Sequence, residues 1–192
     1  MTVMPAPGEE EAEVPLPDAS ALCVSCGMCC DGALFTNARA EPEEVARLRE
    51  LGLEVEQVRP GRTQFRLPCP HHHEGHCGIY PDRFLKCRSF RCALLNRLDS
   101  GETTLAEAQA TVAQAKAMLS RVSALDPAAG QFGTRVEQRS EPAPAGEGEE
   151  VARRRRLLLE SLALDLFLDR KFRNRPAIVM DRSRHQADGG ER

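Results

Sequence analysis

The sequence predicts an α+β fold: a small, loop-rich, metal-organised cysteine domain with a short hairpin, followed by a two-helix C-terminal extension. All eight cysteines lie between positions 23 and 92, which places a thiol-rich site in the first half of the chain. Aromatic residues make up 4% of the 192 residues, with no Trp, which excludes a large aromatic core. Two long stretches in the second half space their apolar residues as amphipathic helices do.

We expect four segments along the chain. Residues 1–20 carry acidic side chains and prolines without Lys or Arg, which is typical of a disordered acidic tail. The cysteine domain follows at 21–98, and the helical extension at 102–175 contains a polar linker near 127–150. Residues 176–192 are expected to form a second tail.

The densest motif is C-x2-C-x2-C-C, formed by Cys23, Cys26, Cys29 and Cys30. Two intervening residues let the backbone form a tight knuckle that aims both thiolates at one ion, as in iron–sulfur and zinc sites. Adjacent cysteines usually point in different directions. We therefore expect Cys29 and Cys30 to serve two neighbouring metals, or one of them to be a spare thiol.

We predict that all eight cysteines are metal ligands, enough for two sites of four thiolates: Cys23, Cys26, Cys29, Cys30, Cys69, Cys77, Cys87 and Cys92. Cys69 precedes a proline, as the fourth ligand of the bacterial ferredoxin motif does. A disulfide framework is disfavoured because nothing directs the chain to an oxidising compartment. Buried cysteines without ligands are disfavoured because the motif is too dense for packing alone.

A helix and a hairpin are predicted between the motif and Cys69. Residues 41–52 combine Pro42 in the first turn, acidic residues at the helix start and a glycine as the stop. Residues 53–67 predict a hairpin whose turn at 59–62 has Pro at i+1 and Gly at i+2, as type II turns do. The hairpin would return Cys69 to the cysteine motif.

Four of the five histidines lie in the stretch between Cys69 and Cys77: His71, His72, His73 and His76. The i, i+4 spacing of His72 and His76 matches a helical zinc pair, but a proline and a glycine in the stretch disfavour a regular helix. We interpret the stretch as a solvated loop. The alternative is that one histidine ligates or exchanges metal.

Cys87 and Cys92 are five residues apart, so on one helix they would lie about 140° off a common face. Either a helix starts after Cys87, or the two thiols serve different sites. Basic residues surround them: Arg83, Lys86, Arg88 and Arg91. These cations form either a solvated helix face or a set that favours thiolate and offsets the charge of a thiolate cluster.

Together these residues resemble the CxxCxxCC domain family, the YkgJ-type cysteine cluster proteins. The resemblance covers about residues 21–95 and rests on four elements: the cysteine motif with Gly27, Cys69-Pro70, Cys77-Gly78-Ile79-Tyr80, and Arg83 with Cys87-Arg88-Ser89-Phe90. It implies that the cysteines chelate iron, an iron–sulfur cluster or zinc. Phe84 stands where the family usually has proline. Flagellin lysine N-methylases are distant relatives, but no methyl-donor site is recognisable in this chain.

Two long helices are predicted in the C-terminal half. Thr104 and Glu107 form a capping box for the first, and residues 151–173 form the second, which begins with four arginines. Its leucines form two neighbouring rows: Leu158, Leu162 and Leu166 make up one, and Leu157, Leu164 and Leu168 the other. We expect both rows to pack on the first helix at Leu105, Val112 and Leu119. The residual surface predicts a dimer or partner contact. We interpret the arginines as a solvated first turn beside nearby glutamates, and not as a binding site for nucleic acid or acidic lipid.

The net charge and the hydropathy of the chain disfavour nucleic-acid binding and membrane spanning. A formal net charge of −3 gives no basic field for nucleic acid, and no stretch approaches the roughly 18 apolar residues of a membrane span. With no recognisable secretory signal, the expected location is the cytoplasm. The leading function is a cytoplasmic metal-binding protein whose thiolates hold an iron–sulfur cluster or iron. A structural zinc module that presents helices to a protein partner, a metal carrier, and an enzyme that uses the cluster are the alternatives.

Overall fold

The chain has an α+β fold, as predicted, in a computed structural model that describes residues 18–142 and 144–177. The helices in this part are α1 (Asp18–Cys26), α2 (Val45–Glu50), α3 (Leu85–Ser89), α4 (Ala93–Asp99), α5 (Leu105–Leu125), α6 (Phe132–Ser140) and α7 (Glu149–Lys171). The strands are β1 (Asn37–Ala40), β2 (Val55–Arg59), β3 (Arg62–Arg66), β4 (His72–His73) and β5 (His76–Cys77). Single 3-10 turns cover Pro42–Glu44 and Pro127–Gly130. Most of the two predicted tails lies outside the described residues.

The cysteine motif starts on a helix. Helix α1 begins at Asp18, inside the segment predicted as tail, and carries Cys23 and Cys26. It buries Leu22 against the core and ends at Gly27, whose φ of 69° favours glycine. The motif is therefore half helix and half turn, whereas the sequence predicted one short loop.

The predicted helix at 41–52 and the predicted hairpin are both present. The hairpin strands β2 and β3 pair in antiparallel fashion, and Gly61 in their turn has a φ of 73°. Strand β1 pairs with the other edge of β3, which makes a three-stranded sheet in the order β1-β3-β2. Between this sheet, α2 and the start of α3 lies a small core: Ala40, Leu48, Leu53, Phe65 and Phe84.

The capping box at the start of α5 is confirmed. The Thr104 side chain accepts a hydrogen bond from the Glu107 backbone N–H, and Glu107 Oε2 accepts one from the Thr104 N–H at 2.8 Å. Helix α7 packs along α5 and buries Leu157, Leu164 and Leu168. These three leucines are one of the two predicted rows.

The other predicted leucine row is not buried. Leu162 is 37% exposed and Leu166 is 52% exposed. The buried face of α7 instead includes two polar residues, Ser161 and Asp165. The prediction was wrong because leucine spacing alone does not tell which side of a helix a polar residue will join.

The segment predicted as a polar linker contains helix α6. This helix buries Arg135 completely, and the 3-10 turn before it buries Ala129. The C-terminal half therefore has three helices in its described part, rather than two helices and a linker.

The cysteine segment and the C-terminal helices share one hydrophobic core. Leu22, Met28 and Leu34 come from the cysteine segment, and they belong to the same buried cluster as Val122 and Leu168. Cys92 is also a member of this cluster. Disturbance of the helical half should therefore reach the cysteine motif through direct packing.

The arginine run at the start of α7 pairs with protein groups. Arg153 forms an ion pair with Glu150 at 2.9 Å and donates to the Leu125 carbonyl at 2.7 Å. Arg154 pairs with Glu141. These ion pairs agree with the prediction that the arginines at the start of the helix lie beside nearby glutamates.

In the described ranges, each helix is too short or too polar to span a lipid bilayer.

We predict that Leu164→Ala destabilises the protein by about 2–5 kcal/mol, because it leaves a cavity in a fully buried position. The matched change Leu166→Ala should alter the free energy of unfolding by no more than about 0.5 kcal/mol, because that side chain is half exposed. Urea unfolding followed by circular dichroism measures both. Equal losses for the two variants would contradict this assignment of faces.

Candidate metal centre

Helix α1 and the turn after it position four thiols. Cys23 and Cys26 are three residues apart on α1, so they lie on one helix face. In the turn, the N–H groups of Cys30 and Asp31 donate to the Gly27 carbonyl at 2.8 and 3.0 Å. This tight turn brings Cys29 and Cys30 back beside the end of the helix.

The sheet and a short hairpin bring two more cysteines to the turn. The Cys69 N–H donates to the Cys30 carbonyl at 2.7 Å, so the exit of β3 is fixed against the motif, as predicted. Strands β4 and β5 pair His72 opposite Cys77. Cys69 and Cys77 therefore lie on the same side of the turn as Cys30.

A helix break separates the last two cysteines. Cys87 lies within α3, whereas Cys92 is the N-cap of α4 and its sulfur accepts the Leu95 N–H at 3.4 Å. Phe90 is extended between the two helices. The break agrees with the prediction that one continuous helix could not aim both thiols at one ion.

The eight thiols line two neighbouring cavities. The larger cavity, about 220 Å³, is lined by Cys23, Cys29, Cys30, Cys69, Cys77 and Cys87. The smaller cavity, about 40 Å³, is lined by Cys23, Cys26, Cys29, Cys30 and Cys92. Cys69, Cys77 and Cys87 belong only to the larger cavity, and Cys26 and Cys92 only to the smaller.

Cys29 and Cys30 line both cavities, but their strongest thiol neighbours differ. The pKa of Cys30 is raised to about 12. Burial is the largest cause, and repulsion from Cys87, Cys69 and Cys77 comes next. Burial also raises the pKa of Cys29 well above its ordinary value, followed by contributions from Cys26 and Cys92. The two adjacent cysteines therefore face different thiol partners.

Burial favours the protonated thiol at Cys26 and Cys87. Burial raises the pKa of Cys26 to about 12 and that of Cys87 to about 11, with neighbouring thiols adding to the effect. Because a thiol ligates metal as the thiolate, metal binding at these cysteines would release protons. A positive ion is also what would relieve the repulsion among so many thiolates.

The donor set fits a thiophilic metal. Thiolate and imidazole donors suit zinc, iron and iron–sulfur clusters, whereas magnesium and calcium prefer oxygen. In the residues that the structure describes, no three His, Cys, Asp or Glu side chains already meet in the geometry of a metal site. The thiols line the cavity walls, so ligation requires their side chains to turn toward a common point.

The histidine stretch is a hairpin in which the four side chains have different surroundings. His71 Nε2 donates to the Leu51 carbonyl at 2.9 Å, and His76 Nδ1 donates to the Glu74 carbonyl at 3.0 Å. His73 and His76 are exposed, which agrees with a solvated loop. His72 differs, because it lines the larger cavity and its Nε2 is buried.

Aromatic and basic side chains complete the larger cavity. Five of the eight aromatic residues of the chain line it: Phe35, Phe65, Tyr80, Phe84 and Phe90. Arg83 stacks over the Tyr80 ring at 3.5 Å, and its positive charge lowers the pKa of Cys23 and of Cys87, against the larger effect of burial. Of the predicted basic residues, Arg83 and Lys86 line the cavity, whereas Arg91 forms an ion pair with Asp99.

Two buried arginines from the C-terminal half fix the end of the cysteine turn. Arg135 Nη2 donates to the Ala33 carbonyl at 2.7 Å and also pairs with the buried carboxylate of Asp165 at 2.8 Å. Arg173 donates to the Leu34 carbonyl through Nε at 3.1 Å and Nη2 at 2.9 Å. Neither arginine was predictable from the sequence as part of the site, because neither belongs to a recognisable motif.

The fold and the two thiol groups define a cysteine-cluster protein whose donors suit zinc or iron. Residues 22–116 match the model of the CxxCxxCC family, described as "Putative zinc- or iron-chelating domain". The chain belongs to this family through that segment. The matched segment continues into helix α5. No curated protein and no solved structure matches the chain.

We predict that Arg135→Ala lowers the free energy of unfolding by about 3–5 kcal/mol, because it leaves the Asp165 carboxylate buried without its main partner. The control is Arg121→Ala, which removes a surface ion pair to Glu160 that solvent screens, so a much smaller loss is expected. Denaturant unfolding and the rate of thiol labelling measure the two variants. If both lose equal stability and label equally fast, the buried arginine does not hold the turn.

Proposed function

We propose that the chain binds iron through its cysteine thiolates, as an iron–sulfur cluster or as iron ions, in two neighbouring sites. One site would use Cys23, Cys26, Cys29 and Cys92, and the other Cys30, Cys69, Cys77 and Cys87. The observation that carries this proposal is the distribution of the thiols between two cavities: Cys69, Cys77 and Cys87 line only the larger one, and Cys26 and Cys92 line only the smaller one.

The size of the larger cavity favours a group of several atoms there. Its volume is about 220 Å³, whereas about 10–15 Å³ of cavity is enough to admit one water molecule. A single four-coordinate ion needs little room beyond its ligands. The smaller cavity, at about 40 Å³, is closer to the space of one ion. This difference supports an iron–sulfur cluster in the larger site.

The surrounding residues suit a negatively charged thiolate cluster. The aromatic wall of the larger cavity lowers the polarity around the sulfurs, and Arg83 and Lys86 offset negative charge at its edge. An iron–sulfur cluster, when bound, supplies one-electron transfer. Low polarity and nearby cations are the means by which this chain would adjust that chemistry.

A structural zinc site is the second candidate. Cys92 is part of the shared hydrophobic core and caps α4, so a metal bound there would tie the cysteine turn to the helical half. Closed four-thiolate zinc sites stabilise folds in this way. A metal carrier is the third candidate, supported by Cys23, which is exposed and gives access to the thiols from solvent.

The location and partner follow from the chemistry of the thiols and the surface of α7. We place the protein in the cytoplasm, where reducing conditions keep thiols available for metal. Leu159, Leu162 and Leu166 are exposed on one side of α7 and would form the contact with a protein partner or a second copy. An enzymatic role would need a substrate site in addition to the metal.

The metal content of protein purified without oxygen tests the proposal. We expect iron with inorganic sulfide and a brown absorption spectrum. Colourless protein with stoichiometric zinc would support the structural zinc module instead. Variable, easily removed metal would support the carrier. Protein that binds neither iron nor zinc after reconstitution would contradict all three.

A matched pair of cysteine variants tests the division into two sites. Cys69→Ser removes a thiol that lines only the larger cavity, and Cys92→Ser one that lines only the smaller. Each variant should lose the metal of one site and keep that of the other, so the two should lose different parts of the absorption spectrum. Metal analysis on folded protein, verified by circular dichroism, provides the measurement. Identical losses in the two variants would show a single site.

A further inference from the structure

His72 is the one histidine of the hairpin whose ring faces the thiols. It lines the larger cavity, and its Nε2 is buried without a hydrogen-bond partner in the described part of the chain. A buried ring nitrogen that binds nothing destabilises a fold, so nearly all such atoms have a partner. By contrast, the imidazoles of His71 and His76 each hydrogen-bond to a backbone carbonyl.

The cysteine motif makes room for this imidazole. A Cβ added at Gly27 would lie 2.6 Å from His72 Nε2 and 2.8 Å from Cε1, so a side chain there would collide with the ring. Gly27 follows Cys26 directly and begins the turn that carries Cys29 and Cys30. The ring edge therefore lies against the turn that presents the thiols.

The backbone of His72 is fixed between two proposed ligands. Its N–H donates to the Cys69 carbonyl at 3.0 Å, and in the short hairpin it lies opposite Cys77. The backbone of His72 is therefore tied directly to the backbone of both cysteines. By contrast His73, the next residue, is exposed.

We propose that His72 supplies a nitrogen ligand, through Nε2, to the metal group held in the larger cavity with Cys30, Cys69, Cys77 and Cys87. This inference rests on the proposed function, and it goes beyond it by making the larger site a mixed thiolate–imidazole site. Neutral imidazole ligates both iron and zinc. A neutral imidazole adds no negative charge to the thiolate site, and imidazole ligation raises the reduction potential of two-iron clusters.

X-ray absorption at the metal edge, on anaerobically prepared full-length protein, tests the assignment. We expect imidazole scattering in the unmodified protein, its loss in His72→Ala, and its retention in His73→Ala. Metal content is measured on the same samples. Absence of metal from the unmodified protein defeats the proposed function, whereas bound metal with a shell of sulfur alone defeats this inference and leaves the proposed function standing.

A second pair of variants tests the assignment to His72 by substituting glycines and leaving the histidine itself unchanged. Gly27→Ala places a methyl group against the ring, whereas Gly52→Ala introduces a methyl group at a similar φ, 75° against 69°, with no atom within 4 Å. We expect Gly27→Ala to weaken the imidazole scattering and Gly52→Ala to leave it unchanged. Imidazole scattering that persists in folded His72→Ala, or that responds equally to the two glycine substitutions, overturns the assignment to His72.

Discussion

Hydrogen bonds from two buried guanidinium groups fix the backbone at the end of the cysteine turn. Arg135 and Arg173 bind the carbonyls of Ala33 and Leu34, which lie just beyond the last cysteine of the motif. Asp165 compensates the buried charge of Arg135. Removing one partner of such a pair leaves the other charge buried without compensation, so the two halves of the pair depend on each other. Here the pair links helices α6 and α7 at the point where Arg135 also binds the end of the turn.

Features written in a few consecutive residues were predictable from the sequence. The capping box of α5, the helix after Pro42 and the hairpin turn at Gly61 each depend on local hydrogen bonds and allowed φ angles. Helix α6 was not predictable, because its buried face consists of Arg135, a residue that normally indicates solvent. What makes that burial possible is a set of carbonyls and a carboxylate from distant parts of the chain. The exposed leucines of α7 went undetected for a similar reason, since spacing identifies a face but not its neighbour.

The candidate ligands were predictable as a set, and their grouping was not. Cysteine spacing indicated two sites and a divergence at Cys29 and Cys30. Which thiols belong together depends on the break between α3 and α4 and on the pairing of β4 with β5. Four histidines of identical chemistry lie in that hairpin, and strand register together with Gly27 distinguishes His72. Sequence composition carries no information about register, so the solvated-loop prediction could not separate His72 from its neighbours.

The two arginine contacts also have a consequence for the order of biosynthesis. Arg135 lies 102 residues after the carbonyl it binds, and Arg173 lies 139 residues after its own. A ribosome makes the cysteine segment first, and the arginines that anchor its turn follow more than a hundred residues later. During that interval the thiols are accessible to oxidants and to whatever metal is available. The turn is anchored only after both arginines have been made, so metal that arrives early meets a segment whose turn is not yet anchored.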